Sequence, residues 1–77
     1  MDNQEFLKNF EAQFDEVESN TLSMDTEFKN IEEWSSLNAL LLIAMADSEY
    51  GITLTGGDIR NSKTVQDLYN IILNKKD

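Results

Sequence analysis

The sequence predicts an all-α fold, a small four-helix bundle with three main helices, a short third helix and a long loop between helices I and II. Apolar residues recur at helical spacing in three separate stretches. The single alternating stretch, residues 52–55, has no second strand to pair with and so cannot form a sheet. A length of 77 residues suits one domain, covering residues 1–77.

The first helix is predicted over residues 3–17, with Asp2 or Asn3 as its cap. Its apolar side chains recur on one face: Phe6, Phe10, Phe14 and Val17. Residues 18–35 are polar and predict a long loop. The loop contains four apolar residues that are expected to pack against the core: Leu22, Phe28, Ile31 and Trp34.

The second helix is predicted over residues 36–50, with Ser35 or Ser36 as its cap and Gly51 as its stop. It is apolar on two faces. One face carries Ala39, Leu42, Ile43, Ala46 and Tyr50. The other carries Leu37, Leu40, Leu41 and Ala44. Either both faces are buried, as in a central helix, or the second face meets a partner or ligand.

The remainder of the chain predicts a short helix and a final long one. Gly56 and Gly57 form a breaker, and residues 58–61 allow one turn of helix with Ile59 inward. Thr64 and Asp67 form a capping-box pattern at the start of the last helix. The apolar residues expected to pack that helix on the core are Val65, Leu68, Ile71 and Ile72.

Composition excludes several classes of function. The chain has no His and no Cys, which excludes Ser-His and Cys-His catalysis, imidazole or thiolate metal ligation, and disulfides. A net charge of -9 disfavours nucleic acid and anionic membranes. The N-terminus shows no secretory signal, and the longest apolar run, residues 39–46, is too short to span a bilayer. No phosphate-binding glycine loop or EF-hand pattern occurs. Because a chain of this size has no His, no Cys and no cofactor-binding motif, it is predicted not to be an enzyme.

One segment contains a motif that indicates a function. A serine opens a leucine-rich helix in Glu33-Trp34-Ser35-Ser36-Leu37-Asn38, which resembles the Asp-Ser-Leu signature of acyl carrier proteins. The stretch 46–54 is similar to that family's acidic-aromatic end of helix II and its Ile-x-Ile exit. The stretch 62–68 is similar to its Thr-Val-x-Asp opening of the last helix. The resemblance is colinear from about Phe6 to Ile72.

The resemblance implies a free-standing, cytoplasmic and monomeric carrier. By position, Ser36 is the residue to which 4'-phosphopantetheine would be attached covalently. The cargo would be an acyl or related group held as a thioester, in fatty acid or other lipid metabolism or a specialised biosynthetic pathway. The implied partners are a phosphopantetheinyl transferase and the acyltransferase, synthase or ligase enzymes of that pathway. A helix N-terminus also suits a phosphate on physical grounds.

Two departures from the family pattern affect recognition. Ser35 stands where the family has Asp, and Asn38 and Leu41 stand where carriers in fatty-acid synthesis have docking acids. The partner surface is therefore predicted to be mainly apolar, formed by Leu37, Leu40, Leu41 and Ala44 with Asp47 beside them.

The distribution of charge allows a different reading. Residues 1–33 contain ten acids and two lysines, whereas residues 34–77 contain five acids and four basic residues. The acidic half could be a solvated face or a docking surface for a basic protein. The alternative function is thus a non-carrier acidic adaptor or antitoxin-like module, in which Ser36 is only a helix cap.

Overall fold

A computed structural model describes residues 2–14, 22–32 and 34–76. These residues form four α-helices: α1 Asn3–Glu11, α2 Ser36–Tyr50, α3 Gly56–Arg60 and α4 Val65–Lys76. A 3₁₀ helix, Phe28–Asn30, lies in the connection between α1 and α2. No strand occurs among the described residues. The predicted helical bundle with a short third helix is confirmed.

Helix α1 is shorter than predicted. Its N-cap is Asp2, whose carboxylate accepts a hydrogen bond from the Glu5 amide at 2.8 Å. The helix gives way to tighter i→i−3 hydrogen bonds, since the Gln13 amide donates to the Phe10 carbonyl and the Phe14 amide to Glu11. Phe14 nevertheless stays buried beside Phe10. The periodic apolar residues therefore extend beyond the last residue of the α-helix. Val17 lies outside the described residues.

The described part of the connection between α1 and α2 packs against the core through its four apolar residues, as predicted. Phe28 is fully buried and Leu22 is buried, while Ile31 and Trp34 pack partly buried against the same cluster. The carbonyls of Met24 and Thr26 also accept hydrogen bonds from the Gln66 and Val65 amides at 2.8 and 3.1 Å. The loop therefore satisfies backbone donors at the start of α4 that would otherwise lack a partner.

Helix α2 has the predicted bounds. It ends at Gly51, which adopts φ 66°, a left-handed conformation that glycine enters without strain. The Gly51 amide donates to the Asp47 carbonyl, as in an αL C-cap, and the Ile52 amide donates to the Ala46 carbonyl. The alternating stretch after it is an extended linker whose Ile52 and Leu54 side chains are buried.

The short third helix begins two residues before the predicted start. Gly56 and Gly57 were predicted to be a breaker, which is wrong: they form its first turn. Thr55 caps it, and the Thr55 hydroxyl and the Asp58 carboxylate accept hydrogen bonds from each other's backbone amides. Such a capping box offsets the low helix propensity of two glycines. Ile59 is buried, as predicted.

Two aspartates at the starts of α3 and α4 make stability depend on pH. The Thr55 amide lowers the pKa of Asp58, and the Thr64 and Lys63 amides lower the pKa of Asp67. A lowered folded-state pKa contributes stability that is complete above the unfolded value, about 4, and is lost as the pH falls through the folded value. We therefore expect the urea midpoint to fall on acidification below about pH 4. The Asp58→Asn/Asp67→Asn variant should show a shallower fall, and an equally steep one would contradict this origin.

Candidate functional site

Ser36 is the first residue of α2 and its side chain is exposed to solvent. Ser35, in an extended conformation with φ -152° and ψ 173°, is the N-cap, so the sequence alternative in which Ser36 caps the helix is wrong. The Ser36 hydroxyl makes no hydrogen bond to another described residue. The candidate nucleophile is thus presented to solvent at the positive end of a fifteen-residue helix.

The first turn of α2 has no side-chain cap. The Ser35 hydroxyl does not accept a hydrogen bond from a backbone amide of the helix. It donates instead to the Asn38 side-chain oxygen at 2.9 Å. The turn also carries no acidic side chain. Because the first amides of a helix lack intrahelical acceptors, this turn can accept an anionic group without displacing a side chain of its own.

Asn38 connects the start of α2 to the turn that follows α1. It is only 8% exposed, and its side-chain nitrogen donates to the Gln13 carbonyl at 3.0 Å. Sequence reasoning treated Asn38 only as a missing docking acid and missed this contact. A signal was present, because Asn38 lies four residues before the buried Leu42 and hence on the same helix face.

Trp34 supports the chain just before the site. Its ring lies 5.2 Å from the Phe28 ring in an edge-on arrangement and 6.1 Å from the Phe14 ring. The two rings belong to the loop and to the turn after α1. Aromatic packing thus holds Trp34, two residues before Ser36, against both segments.

The predicted partner residues lie on one face of α2. Leu37 and Leu40 are each 63% exposed, which makes them the exposed large apolar side chains of the described part of the chain. Leu41 is half-buried, and Ala44 and Asp47 are exposed. The spacing of three and four residues places them in one stripe running from Ser36. We call Leu37, Leu40, Leu41 and Ala44 the apolar stripe.

The exposure of the stripe contradicts one of the two predictions for α2. The opposite face packs inward through Leu42, Met45 and Ala46, all buried. Ala39, Ile43 and Tyr50 are partly buried on its flanks. Tyr50 accepts a hydrogen bond from the Asn9 side chain at 2.9 Å, and burial raises the pKa of its phenol. The prediction that both faces are buried is therefore wrong, and the second face is open to solvent.

Other kinds of site find no support in the part of the chain that is described. No group of three acidic residues lies close enough to hold a metal ion there. None of the described helices combines the length and apolar character that crossing a bilayer requires.

Comparison with known proteins supplies a relative. An acyl carrier protein of Aster yellows witches'-broom phytoplasma (strain AYWB) is 35% identical over 52 residues, which cover 68% of this chain and 68% of the relative. This chain belongs to the acyl carrier protein family. No family model and no solved structure matches it. For a member of the acyl carrier protein family, an exposed serine at the mouth of α2 and an open helix face fit a carrier role.

Proposed function

We propose that the protein carries an acyl or related group as a thioester on 4'-phosphopantetheine attached to Ser36, and that it is not itself an enzyme. The observation that carries the proposal is the exposed hydroxyl of Ser36 at the uncapped first turn of α2, directly before Leu37. The prosthetic group would supply the thiol that the chain lacks.

The chain's residues fit the group in three ways. The hydroxyl is accessible and is not occupied by another described residue. The helix N-terminus offers amide donors and positive partial charge to a phosphodiester. No carboxylate of α2 lies in its first turn, so no fixed negative charge of the helix opposes the phosphate there.

Attachment requires an enzyme, because the chain has no histidine to activate the serine. The Ser36 oxygen would bond to the phosphorus that carries pantetheine in coenzyme A. The bond from that phosphorus to the adenosine-containing half would break, and the hydroxyl proton would pass to a base of the phosphopantetheinyl transferase. The chain's own contribution is presentation and positioning of Ser36.

We further propose that partners dock on the apolar stripe, with Asp47 at its far end. These partners are the transferase and the acyltransferases, synthases or ligases of a lipid or specialised pathway. From Ser36 to Ala46 the helix carries no charged residue, so desolvation of leucines would supply more of the affinity than ion pairs. We also propose that this carrier is a monomer and acts in the cytoplasm.

Intact mass tests the assignment of Ser36. Incubation with coenzyme A and a broad-specificity phosphopantetheinyl transferase should add the mass of one phosphopantetheine to the wild type. Ser36→Ala should gain none, because it lacks the accepting oxygen. Ser48→Ala is the matched control, since Ser48 is another exposed serine of α2, and it should gain the mass as the wild type does.

Two results would refute the assignment. One is a wild type that gains no mass although a known carrier in the same reaction does. The other is a Ser36→Ala variant that gains as much mass as the wild type. Intact mass of the protein isolated from its native cells would, in addition, identify the cargo.

A further inference from the structure

Asn38 is a polar residue on the inward face of α2. Its neighbours on that face, Leu42 and Met45, are apolar and buried. Burying an amide costs free energy unless its donor and acceptor find partners. Here the oxygen accepts from the Ser35 hydroxyl and the nitrogen donates to the Gln13 carbonyl. A leucine would continue the apolar face without these requirements, so the amide does something that packing alone does not need.

The two hydrogen bonds of Asn38 act on the residue before Ser36 and on the helical turn that contains Ser36. One fixes the side chain of Ser35, the residue immediately before it. The other ties the first turn of α2 to Gln13, in the turn that follows α1. The bond to Ser35 also directs that hydroxyl to the Asn38 side chain and leaves the helix amides without a side-chain cap.

We infer that Asn38 is a positioning residue for the modification of Ser36, an inference that rests on the proposed function. By holding Ser35 and Gln13 together, Asn38 fixes the direction in which the Ser36 hydroxyl leaves the helix. It touches no reacting atom. It acts through the Ser35 side chain and through the attachment of the first turn of α2 to Gln13.

This role has a distinct kinetic signature. The docking surface proposed above includes Leu37 and Leu40, both of which face solvent. Loss of positioning should therefore lower kcat of the transferase reaction and leave KM for the apo-protein unchanged. Loss of folded protein would act oppositely: it would raise the apparent KM and leave kcat at saturation unchanged.

The experiment measures kcat and KM of a phosphopantetheinyl transferase for apo-protein carrying Asn38→Ala or Asn38→Leu. Asn38→Leu keeps a buried side chain of similar length but loses both hydrogen bonds. Since small misplacements of a reacting group cost large factors in rate, we expect kcat to fall at least about tenfold in both variants, with KM within about twofold. Circular dichroism would establish the temperature at which each variant is folded.

Two further variants keep the inference falsifiable. Ser35→Ala removes one of the two bonds at an exposed position, so it should fold and should lower kcat at least about threefold. Asn74→Ala, at an exposed asparagine of α4, is the control and should match the wild type. A kcat within about twofold of wild type in Ser35→Ala and in every folded Asn38 variant would overturn the inference. A wild type that takes up no pantetheine would refute the proposed function, and this inference with it.

Discussion

Replacing Leu37 and Leu40 together with serine is expected to lower kcat/KM of a phosphopantetheinyl transferase for the apo-protein about thirtyfold, mainly through KM. Each side chain is 63% exposed in the free protein and would be covered on docking. Fully burying a leucine contributes about 1.5–3 kcal/mol, so loss of the remaining burial at two positions should cost about 2 kcal/mol in total. A cost of about 1.4 kcal/mol corresponds to tenfold. The measurement is a steady-state titration of the transferase with apo-protein.

The control for the leucine variant removes charge from the same helix. Asp47→Asn/Glu49→Gln takes away both acids of α2, which are exposed and lie in its last two turns. Many exposed ion pairs contribute only about 0.3 kcal/mol or less each, so loss of both acids should change kcat/KM less than about threefold. For the same reason, raising salt from about 0.05 M to about 0.5 M should have only a small effect on wild type. The leucine variant should remain folded because neither side chain belongs to the core.

The opposite pattern would favour an acidic docking module. Such a module would bind a basic partner through the half of the chain that contains ten acids, and its binding would fall steeply with salt. It would be unaffected by Ser36→Ala. A strong salt dependence combined with a silent leucine variant would therefore contradict docking on the apolar stripe.

The helices were predictable where local sequence signals agree. At α2 the serines at the start, the apolar periodicity and the glycine stop all indicate the same bounds, and the structure confirms them. At α4 the Thr64 hydroxyl accepts from the Asp67 amide, and the Asp67 carboxylate accepts from the Thr64 amide, as the capping-box pattern predicted. At the glycines of α3 the signals conflict, because propensity indicates a breaker while Thr55 and Asp58 indicate a cap. In the structure the capping box forms and both glycines are helical.

The site was predictable only in part, for a physical reason. The position of Ser36 and the stripe of leucines follow from spacing along one helix. The contact of Asn38 with Gln13 joins residues 25 positions apart, and it depends on how α1 and α2 cross. Lys29 is similar: its ammonium group donates to the carbonyls of Ile59 and Arg60 at 3.2 and 2.9 Å. Such long-range polar contacts leave no periodic trace in a sequence, so only the fold reveals them.

Replacing Phe28 with alanine is expected to remove about 3–5 kcal/mol of stability, as for a phenylalanine of a helical core. Phe28 lies in the loop, yet it is fully buried and its ring contacts those of Phe10 and Trp34. At roughly 0.05–0.15 kcal/mol per residue, a chain of this length has about 4–12 kcal/mol of stability in total, so this loss would be a large share of it. Urea denaturation followed by circular dichroism measures the effect, and fluorescence of Trp34, the single tryptophan, reports on the loop itself.

Phe28→Leu should lose much less stability, and Asn30→Ala, at an exposed position of the same 3₁₀ helix, should lose little. A cost below about 1 kcal/mol for Phe28→Ala would contradict a loop built into the core. If the loss is as large as expected, the segment leading to Ser36 unfolds together with the helices, and the presentation of the serine is a property of the whole fold.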